Sequence, residues 1–178
     1  INSNINNVEF GKSLASSINL IVVGQPGTNS AMLYKTTDDG NSWNTGIQLI
    51  PTDNITITEY GNKVTIYSNG SNINIVAVTG NYSLNSSVLT SIFIFYSSNQ
   101  QDWIYSTKIT PDSLNENFAS NIDLTFYNSE FLLSVGAPMA KNTEGVSIGK
   151  VYIFKASSQS STWIAGNSGE SRLTHDCY

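Results

Sequence analysis

The sequence predicts an all-β protein made of three repeats of about 60 residues, each a meander of four short antiparallel strands. Only 12% of the residues are charged, while Asn, Ser and β-branched residues are frequent, a composition typical of strands joined by polar turns. The tryptophans recur at a fixed interval of 60 residues, at Trp43, Trp103 and Trp163. A glycine that follows a short apolar run recurs at intervals of 56 residues, at Gly24, Gly80 and Gly136.

The first repeat shows the four expected elements most clearly. Strands are predicted at 12–17, 19–24, 31–36 and 43–50, with the turn-rich segments "GQPGTNS" and "TDDGNS" between the last three. The third strand has counterparts at 91–97 and 150–156 in the later repeats. The second and third strands are apolar at consecutive positions, so we expect sheet neighbours to cover them on both faces.

The whole chain, 1–178, is predicted to be a single module, with repeats at about 8–55, 56–114 and 115–165 and a C-terminal tail at 166–178. A four-stranded sheet cannot bury both of its faces alone, so the repeats must stack. Radial stacking would give a β-propeller, which usually has four to eight blades. Three blades do not close a ring. The chain would therefore be part of a larger propeller, be completed by other chains, or form an open stack; a β-sandwich and a β-trefoil are the alternatives.

Several segments resemble FG-GAP repeats, the blade type of integrin α-subunit propellers. An aromatic residue followed by a small one opens each repeat, at Phe10-Gly11, Tyr60-Gly61 and Phe118-Ala119. "LLSVGAP" carries the Gly-Ala-Pro element literally at Gly136-Ala137-Pro138. The first repeat has Gly24-Gln25-Pro26, and the second lacks the proline.

This resemblance implies a non-catalytic module for adhesion, ligand recognition or assembly. Its partner would be another protein, or further copies or chains that complete the propeller. The family resemblance implies an extracellular or cell-surface location. A composition rich in Asn, Ile, Ser and Lys would suit an AT-rich genome, such as that of a large DNA virus or a protist, so a virion surface is included in the prediction.

The segment "KTTDDGNSWN" resembles the Asp-box (BNR-like) hairpin of sialidase-type propellers, through Thr36, Asp38, Gly40, Ser42 and Trp43. The resemblance implies a peripheral turn between the third and fourth strands of a blade. An Asp side chain can accept hydrogen bonds from the backbone of such a turn, and we expect the tryptophan to be buried over the hairpin base. The later copies, "YSSNQQDW" and "ASSQSSTW", keep only the tryptophan and a polar turn.

No catalytic residue is predicted, and we expect the chain not to be an enzyme. Sialidases grip their substrate with several arginines, whereas this chain has Arg172 alone. The adjacent acids Asp38 and Asp39 would point different ways in a turn, and His175 has no partner for a triad. The alternative is a carbohydrate-active propeller, either a lectin or a sialidase-like glycosidase fragment whose missing residues lie on other blades.

No cofactor or metal site is predicted either. A calcium loop needs closely spaced carboxylates, and the loops expected between second and third strands, "GQPGTNSA", "TGNYSLNSSVLT" and "GAPMAKNTEGVSIG", do not supply them. Cys177 is the only cysteine, which excludes an internal disulfide.

Composition narrows the range of partners. The net charge of −5 leaves no cationic face for nucleic acid, and no apolar run is long enough to span a bilayer. Aromatic side chains and Asn-rich loops could bind a glycan ligand. Four sequons could themselves carry N-glycans on a eukaryotic secretory route, at Asn54, Asn69, Asn81 and Asn85.

Overall fold

The computed structural model describes residues 9–84, 87–111, 116–165 and 172–173. These residues confirm the all-β prediction: they form three antiparallel sheets in chain order and one 3₁₀ turn at Pro26–Thr28, with no α-helix. The first sheet has the order β1-β2-β3-β4: β1 (Ser13–Ser17), β2 (Leu20–Gln25), β3 (Ser30–Lys35) and β4 (Ile47–Gln48).

The other two sheets follow the same meander. In the middle sheet β5 and β6 both pair with β7, and β8 and β9 follow: β5 (Ile57–Thr58), β6 (Val64–Ser68), β7 (Asn74–Leu84), β8 (Ser87–Ser97) and β9 (Ile104–Ile109). In the third sheet β14 pairs with β12 beside a run of four strands: β10 (Ile122–Tyr127), β11 (Glu130–Ala137), β12 (Lys150–Ala156), β13 (Ile164–Ala165) and β14 (Arg172–Leu173).

Two predicted boundaries are wrong. The fourth strand, expected at 43–50, is only Ile47–Gln48, because Gly46 takes a φ of 88° and the residues before it complete the hairpin. The segment 79–90 was expected to be a loop, but residues 79–84 extend β7 and residues 87–90 extend β8, with register pairs such as Tyr82 opposite Leu89. Both of those side chains are buried, so this cross-strand pair stabilises the polar segment as part of the sheet.

The middle sheet is buried on both faces. Alternate residues of β7 and β8 pack toward the first sheet: Val76, Val78, Phe93 and Phe95. The residues between them pack toward the third sheet: Ile75, Ala77, Ile92 and Ile94. The three sheets therefore stack face to face, with the core in two layers.

The first and middle sheets approach most closely at two glycines. A Cβ atom placed on Gly24 would lie 1.9 Å from the carbonyl oxygen of Gly61. A Cβ atom on Gly61, which has a φ of 94°, would lie 2.2 Å from the carbonyl oxygen of Ser30. Backbone therefore packs on backbone here, and only glycine fits at either position.

Serine side chains of β1 bond to the outer edge of β6. Ser13 Oγ accepts a hydrogen bond from the Val64 amide at 3.0 Å, and Ser17 Oγ accepts one from the Ser68 amide at the same distance. These amides belong to β6, which pairs with β7 alone among the strands that the structure describes. The first sheet thus satisfies backbone groups that an edge strand would otherwise leave open.

Candidate functional site

The hairpin between β3 and β4 is built around the side chain of Asp38. Its carboxylate accepts hydrogen bonds from the Ser42 amide at 2.8 Å, from Ser42 Oγ at 2.5 Å and from Thr36 Oγ1 at 2.8 Å. Thr36 Oγ1 in turn accepts one from the Gly40 amide at 2.9 Å. The hydrogen bonds from Ser42 and Thr36 lower the pKa of Asp38. This carboxylate is therefore occupied in holding the turn.

Asp39 has a different environment from its neighbour. Its backbone is left-handed, with a φ of 56°, and its exposed side chain lines a groove beside the hairpin. Asp38 is thus held in the turn, whereas Asp39 lines the groove.

The middle sheet repeats part of this turn with other residues. Ser97 Oγ donates to Asn99 Oδ1 at 3.1 Å, and Asn99 Oδ1 accepts hydrogen bonds from the amides of Gln101 and Asp102. Gln100 has a φ of 59°, close to that of Asp39. Sequence reasoning saw only a polar turn at this place. The signal it missed is a hydroxyl residue followed two positions later by an amide that can replace the aspartate.

The three tryptophans differ in burial. Trp163 is 8% exposed, whereas Trp43 and Trp103 are half-buried. The indole nitrogens of Trp103 and Trp163 are buried without a hydrogen-bond partner among the described residues. Trp43 was expected to be buried, but its side chain is only half-buried because it lines a surface groove.

Buried amides connect the three sheets at this end of the molecule. Gln100 and Asn19 exchange two hydrogen bonds of 3.1 Å across the first and middle sheets, and Gln100 Nε2 also reaches Asn74 Oδ1 at 3.2 Å. From the third sheet, Gln159 accepts a hydrogen bond from the Asn74 amide at 3.1 Å and donates one to the Asn72 carbonyl. Sequence analysis missed this network, because no local pattern joins residues so far apart.

Two grooves flank the Trp43 hairpin, separated by Thr37 and Trp43, which line both. The larger groove, about 670 Å³, lies between the hairpin and the turn that joins β1 to β2, with Ile18, Asn19 and Asp39 in its walls. The smaller one, about 410 Å³, is lined from the other side by Lys35, Gln101 and neighbouring residues. The larger volume is in the range of sites for small molecules.

The other predicted landmarks lie outside both grooves. Pro26 is buried at the start of the 3₁₀ turn, Gly80 packs against Tyr60, and Gly136 lies in β11 just before the exposed Pro138. These residues belong to the packing and turns of the sheets.

The predicted sequons differ in accessibility. Asn54 and Asn69 are exposed, whereas the Asn81 amide bonds to Glu59 and Thr90. Asn85 lies outside the described residues, as do His175 and Cys177.

One acid is buried among the residues that the structure describes. Glu116 is 4% exposed, and its Oε2 accepts a hydrogen bond from the hydroxyl of Tyr152. Within the same residues, no three His, Cys, Asp or Glu side chains come together in a way that could hold a metal ion. Nor does that part of the chain contain a helix of the length and apolarity needed to span a membrane.

Comparison with protein-family models and with curated proteins finds no match to this chain.

Proposed function

We propose that the chain is a non-catalytic binding or assembly module, and that its three sheets are blades of a propeller-type scaffold. The observation that supports this most directly is the middle sheet, which is covered on both faces by its neighbours in the chain. Each neighbour meets it with one face only, so the same packing could continue at either end.

The two outward faces keep apolar character. On the first sheet Leu14, Val23 and Met32 stand in register on the face away from the core. Leu14 is 67% exposed, Met32 is half-buried and Val23 is buried. On the third sheet Leu132 and Ile153 are half-buried and Ile164 is 65% exposed. The exposed Lys155 shares this face, in register between Leu132 and Ile164. A further four-stranded unit, from a longer form of this chain or from a second chain, would cover these faces. As an interaction module of this kind, the protein would act at a cell, secreted or virion surface.

The proposal leaves catalysis out because the described residues that line the two Trp43 grooves include a single acid, Asp39, with no second carboxylate beside it. Asp38 holds its turn, and Glu116 bonds to Tyr152. Reporter glycosides test this directly. No hydrolysis is expected, and hydrolysis that Glu116→Gln or Asp39→Asn abolishes would overturn the proposal in favour of a glycosidase.

The assembly role is tested by light scattering after size exclusion. We expect the 178-residue chain to associate as its concentration rises, and Leu14→Lys or Ile153→Lys to prevent this by charging an outward face. Ile104→Lys is the matched control, because Ile104 is also an exposed strand residue, at 50%, but lies on β9 in the middle sheet. A monomer of the chain mass at every concentration would count against assembly through these faces.

A further inference from the structure

Ile18 is poorly suited to the backbone conformation of its turn. It is the first residue of the two-residue turn between β1 and β2, where tight hairpins need a positive φ, and its φ of 55° lies in a region that β-branched residues strongly avoid. Its side chain is 71% exposed, so the strain brings little burial of apolar surface. Strained residues of this kind persist where the surrounding structure fixes them, often at binding sites.

The surroundings that fix this turn are visible. Asn19, the next residue, forms the amide pair with Gln100 and is buried in part between the first two sheets. The Ile18 side chain lies beside Gly70, where a Cβ atom would come within 3.3 Å of its Cδ1. The bonds of Asn19 to Gln100 therefore hold the turn in place, and Ile18 forms part of the wall of the larger groove.

Trp43 also lines this groove, and polar side chains line it together with Ile18 and Trp43. Thr37 and Asp39 are exposed on the hairpin side, and Ser16 is exposed on β1. An aromatic ring and an aliphatic side chain flanking hydroxyl and carboxylate groups match a ligand with apolar C–H faces and several hydroxyls.

The charge of the groove selects among such ligands. Among the described residues that line it, Asp39 is the one with a charged side chain, and none of them is a Lys or Arg. A carboxylate accepts hydrogen bonds from hydroxyls but repels a sialic acid or a sulfate group. We propose that the groove between Ile18 and Trp43 binds a neutral saccharide, with Trp43 and Ile18 contacting the sugar ring and Asp39 accepting hydrogen bonds from its hydroxyls. This site does not depend on the assembly proposed above.

The first experiment exposes the intact chain to a glycan array that carries neutral glucose-, galactose-, mannose- and N-acetylhexosamine-terminated glycans beside sialylated and sulfated ones. We expect binding to members of the neutral set. Preference for the sialylated or sulfated glycans, or no binding to any neutral glycan in a following ligand-observed NMR screen at millimolar concentration, would overturn the proposal.

Variants then locate the site by calorimetric titration with the best neutral glycan. We expect Trp43→Ala and Asp39→Asn each to weaken binding by at least about tenfold. Asparagine tolerates the left-handed backbone at this position, so Asp39→Asn keeps the fold. Ile50→Ala serves as the control, since Ile50 is exposed but lines neither groove. Equal binding by all four proteins would contradict the site.

Ile18→Gly separates the role of strain from that of contact. Relief of the positive φ should raise the melting temperature by about 2–4 °C, while loss of the side chain weakens glycan binding. A variant that is more stable and binds equally well would show that Ile18 takes no part in the site.

Discussion

Replacing Gly24 by alanine tests the contact between the first two sheets. The added methyl group would lie 1.9 Å from the Gly61 carbonyl oxygen and 2.9 Å from its carbon. Neither atom can swing aside like a side chain, because the Gly61 amide bonds to the Thr79 carbonyl at 2.9 Å and the whole turn is tied to β7. The two sheets must therefore separate locally, by about 1.5 Å, to reach ordinary van der Waals distance.

The cost of this separation is near the upper end of the range for overpacked cores. Such insertions usually cost 1–3 kcal/mol, and we expect about 3 kcal/mol here because backbone lies on both sides. In a domain of this size, that free energy corresponds to a fall in melting temperature of roughly 6–12 °C.

Gly136→Ala is the matched control for this substitution. Gly136 holds the corresponding place in the third repeat, but its nearest neighbour would be Ser120 Oγ at 3.3 Å, a side-chain atom that can move. We expect a change within about 1 kcal/mol, since the loss of unfolded-chain entropy offsets the mild crowding. Thermal and urea denaturation followed by circular dichroism measures both variants. Equal destabilisation of the two would refute the close approach of Gly24 and Gly61.

Three further substitutions test the hairpins and the amide network. Gln100→Leu should cost about 1–3 kcal/mol in urea unfolding, because the Asn19 amide loses both of its hydrogen bonds to Gln100 while Asn74 keeps the one from Ser68; a neutral effect would refute the network. Asp38→Asn should flatten the acid dependence of stability. The Asp38 pKa is lowered by folding, so its contribution is present above roughly pH 4 and is lost as the pH falls below that; parallel melting curves for both proteins from pH 5 to pH 2 would contradict this. Trp43→Ala should cost about 2 kcal/mol, less than the 3–5 kcal/mol expected for the buried Trp163, and the reverse order would show that the hairpin ring is the better packed.

The all-β fold could be predicted from the sequence because the patterns that indicate strands and turns are local. Trp43 and Gly24 stand in short patterns that are repeated at fixed intervals, and a turn or a strand depends mainly on its own residues. The extension of β7 and β8 was missed because "TGNYSLNSSVLT" is rich in turn-forming residues. Its two inward positions, Tyr82 and Leu89, outweigh that preference only when the opposite strand and the core are in place.

The candidate groove could not be predicted in the same way. Nothing in "SSINL" signals a tight turn with a left-handed isoleucine. The turn forms where β1 pairs with β2 and where Asn19 bonds to Gln100, 81 residues further along the chain. The wall of the groove opposite Trp43 is thus a product of tertiary structure. Only the Trp43 hairpin, which forms the other side of the groove, could be predicted from a short sequence motif.

The serines of β1 also fix how the first two sheets are aligned along their strands. Ser13 and Ser17 meet the amides of Val64 and Ser68, and each pair is separated by the same 51 residues. A slide of either sheet by two residues would break both contacts at once, whatever apolar side chains fill the interface. The apolar core can therefore change in shape and volume while the hydroxyl groups keep the two sheets in one alignment, so the interface has a positional lock that is separate from its hydrophobic packing.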